Sequence, residues 1–393
     1  FETISLEDGL SQSVVNCILQ DRQGFLWFGT GDGLNQFDGM EFIIFRNDPF
    51  DATTLPNNNI NVIYEDHAGF FWIGTDNGMN RMDPATYRFD IPLGIQALNE
   101  TQVRAIVEDP PGQFWIGTSE GLFRYVSSKE TLDFHLSRDP AGLSHESIRV
   151  LYLDSSGILW IGTNSGLDRF DPKTHKCDRI QHDSDGFDCM SRGVRCIHED
   201  RHGHLWVGTF GSGLFRLDPT RNEFSVYRHD PGDEHSLSND RATAICQDQS
   251  GNLWVGTWNG GLNLLDQNSG TFQNWRYEKE HDGVLSANYV ASIFEDRSGI
   301  LWIGTSGGGV SKLDLKRPRF DHHTHDPNDT NSLNDEVVWA LFEDNAGILW
   351  VGTDSGGLNR LDRPSGTFSA YRHDPADPDS LGHNEVRAIL QDS

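Results

Sequence analysis

Asp21-Arg22-Gln23-Gly24-Phe25-Leu26-Trp27-Phe28-Gly29-Thr30 is followed by seven further versions of itself, at residues 66–75, 109–118, 154–163, 200–209, 248–257, 296–305 and 344–353. Each reads Asp-x-x-Gly-x-(Leu/Phe)-Trp-(Ile/Val/Phe)-Gly-Thr, and the tryptophans recur every 43 to 48 residues. A sustained period of this size marks a repeat architecture, in which each unit buries its faces only against its neighbours.

The sequence around the motif sets the type of repeat. The second position before each Asp holds Leu19, Tyr64, Val107, Tyr152, His198, Cys246, Phe294 and Phe342. The sixth holds Val15, Ile60, Val103, Ile148, Val194, Ala242, Val290 and Val338. This period-two patterning reads as a strand. The third position is always Ile or Leu, so the opposite face is part-buried too. A strand covered on both faces suits the innermost position of a propeller blade. Asp-x-x-Gly reads as a hairpin turn, with Asp accepting from the backbone two residues on and Gly supplying a positive φ. Leu-Trp-Ile-Gly-Thr is the second strand; its Trp fills the wedge between blades and its Gly permits close backbone approach. In the first repeat, a third strand is expected over residues 34–38 and a fourth over 42–46. Four strands per repeat make one blade.

The expected fold is therefore an all-β β-propeller of four-stranded blades, with eight full repeats and the start of a ninth at residues 385–392. Repeats five to eight carry one extra residue between strands two and three, and repeat seven loses its outer-strand pattern at Lys316-Arg317-Pro318. That seam predicts a seven-bladed ring over residues 1–317, in which residues 1–6 serve as the fourth strand of blade seven. Residues 318–393 would then begin a second propeller. A single ring of eight or nine blades is the alternative.

Composition narrows the function. The 393 residues carry a net charge of −28, from 31 basic and 59 acidic side chains, which disfavours nucleic acid or an anionic membrane as partner. Five cysteines at wide spacings are no disulfide framework. Cys17 and Cys196 share one repeat slot and read as small buried side chains. No apolar stretch of about 18 residues is present, so no membrane-spanning segment is expected. The chain opens at Phe1 and stops inside a repeat, the pattern expected of a fragment whose anchor and output domain lie elsewhere.

The motifs resemble the two-component regulator propeller repeat, found in sensor regions of bacterial hybrid histidine kinases and related signalling proteins. A first strand ending Ile-x-x-Asp, then x-x-Gly-x-Leu-Trp-Ile-Gly-Thr, then x-x-Gly-Gly-Leu-x-x-(Leu/Phe)-Asp, recurs over essentially the whole chain. In that family two seven-bladed rings commonly precede a transmembrane helix and a kinase. The resemblance implies an extracytoplasmic, periplasmic input region, non-catalytic in itself and without a cofactor. It would bind a small molecule or oligosaccharide and dimerise through regions outside this sequence.

Catalytic motifs match only on paper. Gly117-Thr118-Ser119-Glu120-Gly121 and Gly304-Thr305-Ser306-Gly307-Gly308 read as Gly-x-Ser-x-Gly, but fall between two strands instead of at a strand-to-helix turn. His198-Glu199-Asp200-Arg201-His202 reads as His-Glu-x-x-His, which needs a helix to bring both imidazoles to one face. No catalytic residue is assigned. His198 is the one candidate for the alternative of a propeller lyase or hydrolase; a protein-interaction scaffold is the other. No metal site is assigned either. His323 with His325, the acidic run 183–188, and His175, Cys177, His182 and Cys189 fit no standard module.

A binding site should lie where one repeat departs from the rest. The fifth position before the turn Asp holds Asn16, Asn61, Arg104, Arg149, Arg195, Thr243, Ala291, Trp339 and Arg387. Arg104, Arg149 and Arg195 come from three consecutive blades near one mouth of the central channel. In so acidic a chain they suggest a socket for an anionic ligand, since guanidinium grips carboxylate or sulfate bidentately. The competing reading pairs each Arg with a local carboxylate such as Glu108 or Glu199. The residue after the strand-two Thr is polar or Gly in six repeats but Phe210 and Trp258 in repeats five and six. Exposed there, the two rings could stack on a sugar or a partner; otherwise they pack on a neighbouring loop.

Overall fold

The structure, a computed structural model, describes residues 1–51, 53–137, 142–180, 192–218, 223–277, 285–315, 323–327, 329–363 and 366–391. It contains two compact units, Phe1–Lys316 and Arg317–Ser393. No described residue is in an α-helix.

The first unit holds seven four-stranded antiparallel sheets. Blade one shows the plan: Val15–Gln20 innermost, then Leu26–Thr30, Gly33–Phe37 and Phe42–Phe45. Blade seven supplies three strands of its own, Val290–Glu295, Ile300–Thr305 and Val310–Asp314, and takes its fourth, Glu2–Ile4, from the start of the chain. That strand is shorter than residues 1–6 because Ser5 caps a 3-10 turn at Leu6–Asp8, with Asp8 bonding back to the Ser5 N–H.

Each tryptophan is driven into the following blade. Trp27 packs among Ile60, Phe71 and Met82 of blade two. Trp302 of blade seven packs among Leu26, Phe28 and Phe37 of blade one, which joins the last blade to the first. Two backbone-directed bonds cross the same joint: Ser292 Oγ donates to the Val15 carbonyl at 3.3 Å and Arg297 Nη2 to the Asp21 carbonyl at 2.6 Å. The strand-two glycine is the reason the blades fit. A Cβ on Gly29 would stand 2.4 Å from Cys17 Sγ and 2.7 Å from Ile60 Cγ2 of the next blade.

The turn Asp does more than turn the chain. Asp21 Oδ1 accepts from the N–H groups of Gly24 and Phe25, and Oδ2 accepts from the Trp27 indole at 2.8 Å. The same indole bond recurs at Trp72, Trp160, Trp206, Trp254, Trp302 and Trp350. Trp115 is the exception: its turn reads Asp109-Pro110-Pro111-Gly112, and its buried indole N–H has no partner among the described residues.

A second fastener links neighbouring turns. The residue before the turn Asp accepts from the backbone N–H of the residue after the previous blade's turn Asp. Glu65 thus takes the Arg22 N–H, Glu108 the His67 N–H, Glu199 the Ser155 N–H, Gln247 the Arg201 N–H, Glu295 the Gln249 N–H and Gln20 the Arg297 N–H. Only the joint between blades three and four lacks it, and it lacks both halves: Pro110 has no N–H and Leu153 no acceptor. Restoring both with Pro110→Ser and Leu153→Gln is expected to show favourable coupling of about 1 kcal/mol in a double-mutant cycle, the net worth of one hydrogen bond. Chemical denaturation of the four chains measures it, and additive effects would refute the fastener.

The second unit contains one four-stranded sheet, Val338–Glu343, Leu349–Thr353, Leu358–Asp362 and Thr367–Tyr371. On its inner strand Trp339 is 52% and Leu341 67% exposed. Residues 385–391 were expected to open a ninth repeat as a strand. The described residues 385–391 form no strand.

Candidate functional site

The fifth position before each turn Asp is a β-bulge. In blade three Val103 pairs with Thr118 and Ala105 with Gly117, so Arg104 is an extra residue opposite nothing. The same slip falls at Arg149, Arg195 and the corresponding residue of every blade. A bulge frees a side chain from the sheet and re-aims it. Here it turns seven side chains to one mouth of the ring, where Asn16, Asn61, Arg104, Arg149, Arg195, Thr243 and Ala291 line a cavity of about 260 Å³ together with Phe210, Trp258 and Tyr289. All five residues singled out in the sequence are thus brought together in one place.

The cavity is lopsided. Blades three to five contribute the half-buried guanidinium groups of Arg104, Arg149 and Arg195. Arg104 Nη1 donates to Ser147 Oγ at 2.7 Å and to the Ile148 carbonyl at 3.3 Å, and its Nη2 to Gln102 Oε1. Arg149 Nε donates to Asn164 Oδ1 at 2.7 Å. Arg195 lies 4.5 Å above the Phe210 ring, and its buried Nε has no partner among the described residues. Blades five to seven form an aromatic wall: Phe210 meets Trp258 edge-on at 5.3 Å and Trp258 stacks on Tyr289 at 4.2 Å. The two rings are half-buried, packing on each other and on Tyr289 while they line the cavity.

None of the three guanidinium groups pairs with a described carboxylate. Glu108 and Glu199 sit at the far end of the inner strand, about 13 Å away at the usual rise per residue. Glu108 is taken by His67 and Glu199 by Ser155. Burial, and then the next arginine along, depress the pKa of Arg149 and Arg195 below the usual arginine value. Burial also depresses Arg104, although Asp76 opposes the shift. Tyr289 and Arg241 were not anticipated. Both occupy the seventh position before the turn Asp, where the other blades of the ring carry Val14, Asn59, Gln102, Ser147 and Gly193. Arg241 lies 4.9 Å from the Phe210 ring.

The other candidates hold less. His198 Nε2 is buried without a partner among the described residues, and burial holds its pKa below the usual histidine range. Its neighbour Glu199 is occupied by the Ser155 N–H and hydroxyl, so no carboxylate orients the imidazole as an acid–base pair requires. Among the described residues no three His, Cys, Asp or Glu side chains cluster as a metal site. His182, Cys189 and the run 183–188 lie outside the described residues. A groove of about 1840 Å³ runs beside residues 229–238 and 264–274. Its loop is satisfied from within: His229 Nδ1 bonds the Leu237 carbonyl, and Asn274 donates to the carbonyls of Glu234 and Ser236.

With the geometry in hand, the chain can be set beside known proteins. The two-component regulator propeller family matches at residues 9–32, 54–77, 97–120, 142–165, 190–211, 236–259, 284–307 and 332–355. The extracellular domain assigned to a hybrid two-component system of B. thetaiotaomicron superposes over 100% of this chain and 50% of its own, at 27% identity and a TM-score of 0.69. A second extracellular domain from that organism matches over the same shares at 24% identity and a TM-score of 0.68. Histidine kinase P4 of Formosa agariphila is 54% identical over 55 residues, which are 14% of this chain and 4% of the kinase. The chain therefore spans about half the length of the solved domains and a small part of the kinase. Eight repeats, each folded as one four-stranded sheet and seven of them around the same Asp-to-Trp bond, place this chain in the two-component regulator propeller family.

Proposed function

We propose that this chain is the ligand-sensing part of the extracytoplasmic, periplasmic region of a bacterial two-component signalling protein of the hybrid sensor histidine kinase type, and that it is not itself a catalyst. Family membership and the likeness to extracellular domains of such systems support the sensory role. The observation that carries the site is the cup at the ring mouth, where Arg104, Arg149 and Arg195 face Phe210, Trp258 and Tyr289 with no described carboxylate paired to the arginines. Its ligand is a small anionic molecule or an acidic saccharide, gripped by guanidinium and flanked by the aromatic wall. Binding ties together side chains from several blades, and the resulting change in ring packing is what a dimeric, membrane-coupled kinase would read.

The test is a titration of the whole chain by calorimetry with glucuronic acid, glucose 6-sulfate and glucose. The acidic sugars are expected to bind and glucose to bind at least tenfold more weakly, the loss of one charge-assisted contact. Ala291→Trp should abolish binding, because it fills the mouth without removing a charge, and blade eight carries Trp339 at the equivalent position. Equal binding of glucose, or undiminished binding by the filled variant, would move the site elsewhere.

A further inference from the structure

The bulge side chains have a structural task, and not all of them perform it. Asn16 donates to the Ile60 carbonyl, Asn61 to Val103, Arg104 to Ile148 and Thr243 to Val290, each bond running to the start of the next blade's inner strand. By that pattern Arg149 would reach Val194 and Arg195 would reach Ala242. Neither does. Arg149 spends only its Nε, on Asn164 of its own blade, and Arg195 makes no hydrogen bond to a described residue. Among the described residues, therefore, both guanidinium groups keep their outer N–H groups unspent inside a half-buried cup.

We infer that the mouth is an end-on site in which Arg149 and Arg195 together clamp one terminal oxyanion, a carboxylate or a sulfate, of a longer ligand, while Arg104 serves as a strut of the ring. This rests on the mouth being the ligand site. Three independent features support the division of roles. Hydrogen bonding separates the arginines, as above. Charge points the same way: Arg104 feels Asp76 as a counter-charge as well as Arg195, whereas the groups that act on Arg149 and Arg195 include a neighbouring arginine and, among the described residues, no carboxylate. Support from below differs as well, since Phe210 is held between Arg195 at 4.5 Å and Arg241 at 4.9 Å, which fixes Arg195 in place without using its N–H groups. The length of the ligand follows from size. A cavity of about 260 Å³ falls just below the roughly 300–1,000 Å³ that encloses a whole drug-sized ligand, so a ligand of that size or longer would enter by one end alone.

The experiment compares Arg104→Ala, Arg149→Ala and Arg195→Ala in the whole chain, by calorimetry with glucose 6-sulfate and by thermal unfolding without ligand. Arg149→Ala and Arg195→Ala should each weaken binding roughly tenfold to a hundredfold, the loss of one charge-assisted contact. Their unliganded midpoints should stay nearly level or rise, because each removes a half-buried charge that has no described carboxylate partner. Arg104→Ala should show the opposite balance: the smallest loss of affinity of the three, and a lower midpoint from the bonds lost to Gln102, Ser147 and Ile148. Arg149→Lys and Arg195→Lys keep the charge but lose the forked donors, and should retain only part of the affinity. Sodium sulfate and a trisaccharide sulfated on its terminal or its central ring complete the set. Sulfate should compete with glucose 6-sulfate, the terminally sulfated trimer should bind at least as well, and the centrally sulfated trimer should not. Equal losses from all three alanine variants, or equal binding of the two trimers, would overturn the end-on clamp and leave the mouth standing as a ligand site. Binding of none of these probes would remove both.

Discussion

Replacing Trp302 by alanine is expected to lower the unfolding midpoint by about 5 °C or more. Removing a fully buried tryptophan costs about 3–5 kcal/mol, and a unit of some three hundred residues loses roughly 1.5 °C per kcal/mol. Trp302 is 4% exposed and belongs to blade seven, yet its neighbours Leu26, Phe28 and Phe37 belong to blade one. It is a wedge between the last blade and the first, and its ring centroid lies 5.9 Å from that of Phe28. Its loss leaves a cavity at the joint between the last blade and the first. Trp350 occupies the same place in repeat eight, keeps the same indole bond to Asp344, and is only half-buried. Trp350→Ala should cost no more than about 1–2 kcal/mol on area grounds. Thermal melts followed by circular dichroism compare the two. Similar small shifts would mean that the Trp302 contact does not hold the ring together. The mouth should feel Trp302→Ala as well, because Ala291 stands on the inner strand of the same blade and Tyr289 immediately precedes that strand.

The reach of the sequence can be followed through individual positions. Blades, strand order and the fourth strand borrowed from residues 2–4 were legible because apolar period and turn residues act locally and repeat eight times. The five mouth residues were legible for the opposite reason, as departures from that repeat. What stayed hidden depends on pairing between strands. That Arg104, Arg149 and Arg195 are bulge residues follows from the slip between Val103 and Ala105 and its equivalents, which no single strand displays. The rival pairing with Glu108 or Glu199 looked reasonable in sequence, at a separation of four residues. In a strand, four residues are a full length of the sheet, and the carboxylates end up at the opposite mouth. Tyr289 and Arg241 did leave a trace, since they depart from their own slot two residues upstream of the bulge. Of the two readings for Phe210 and Trp258, exposure or packing on a neighbouring loop, the sequence could not choose, because Tyr289, which stacks on Trp258, was invisible as its partner. The bond from the turn Asp to the Trp indole was missed although both residues recur eight times, because their six-residue separation reveals nothing until the hairpin folds them together.

Asp296→Ala is the second large effect, expected to cost about 3–5 kcal/mol. The Asp296 carboxylate accepts from the Ser298 N–H, the Ser298 hydroxyl, the Ile300 N–H and the Trp302 indole N–H, and its removal leaves the part-buried Ile300 N–H and the buried Trp302 indole without this partner. Each such donor costs roughly 1–3 kcal/mol, with partial recovery by relaxation. Asp296→Asn keeps one acceptor oxygen and should lose about half as much. The same residue carries a pH signature. Burial raises the pKa of Asp296, but the Ser298 hydroxyl, the Trp302 indole and the turn N–H groups outweigh it and hold the carboxyl below its usual range. Asp200 behaves alike, through Trp206 and the N–H groups of His204 and His202. The unfolded chain therefore takes up these protons first. The stabilisation is complete above about pH 4, near the unfolded carboxyl value, and is lost as the pH falls through the folded one. Asp296→Ala should accordingly flatten the dependence of stability on pH below about 4 while leaving it unchanged between pH 5 and 8. Denaturant titrations at a series of pH values test this, and curves that run parallel throughout would rule it out. Because Asp296 and Trp302 share one hydrogen bond, the double variant should lose less than the sum of its parts. Strict additivity would show that the carboxylate stabilises its own turn alone and not the wedge that closes the ring.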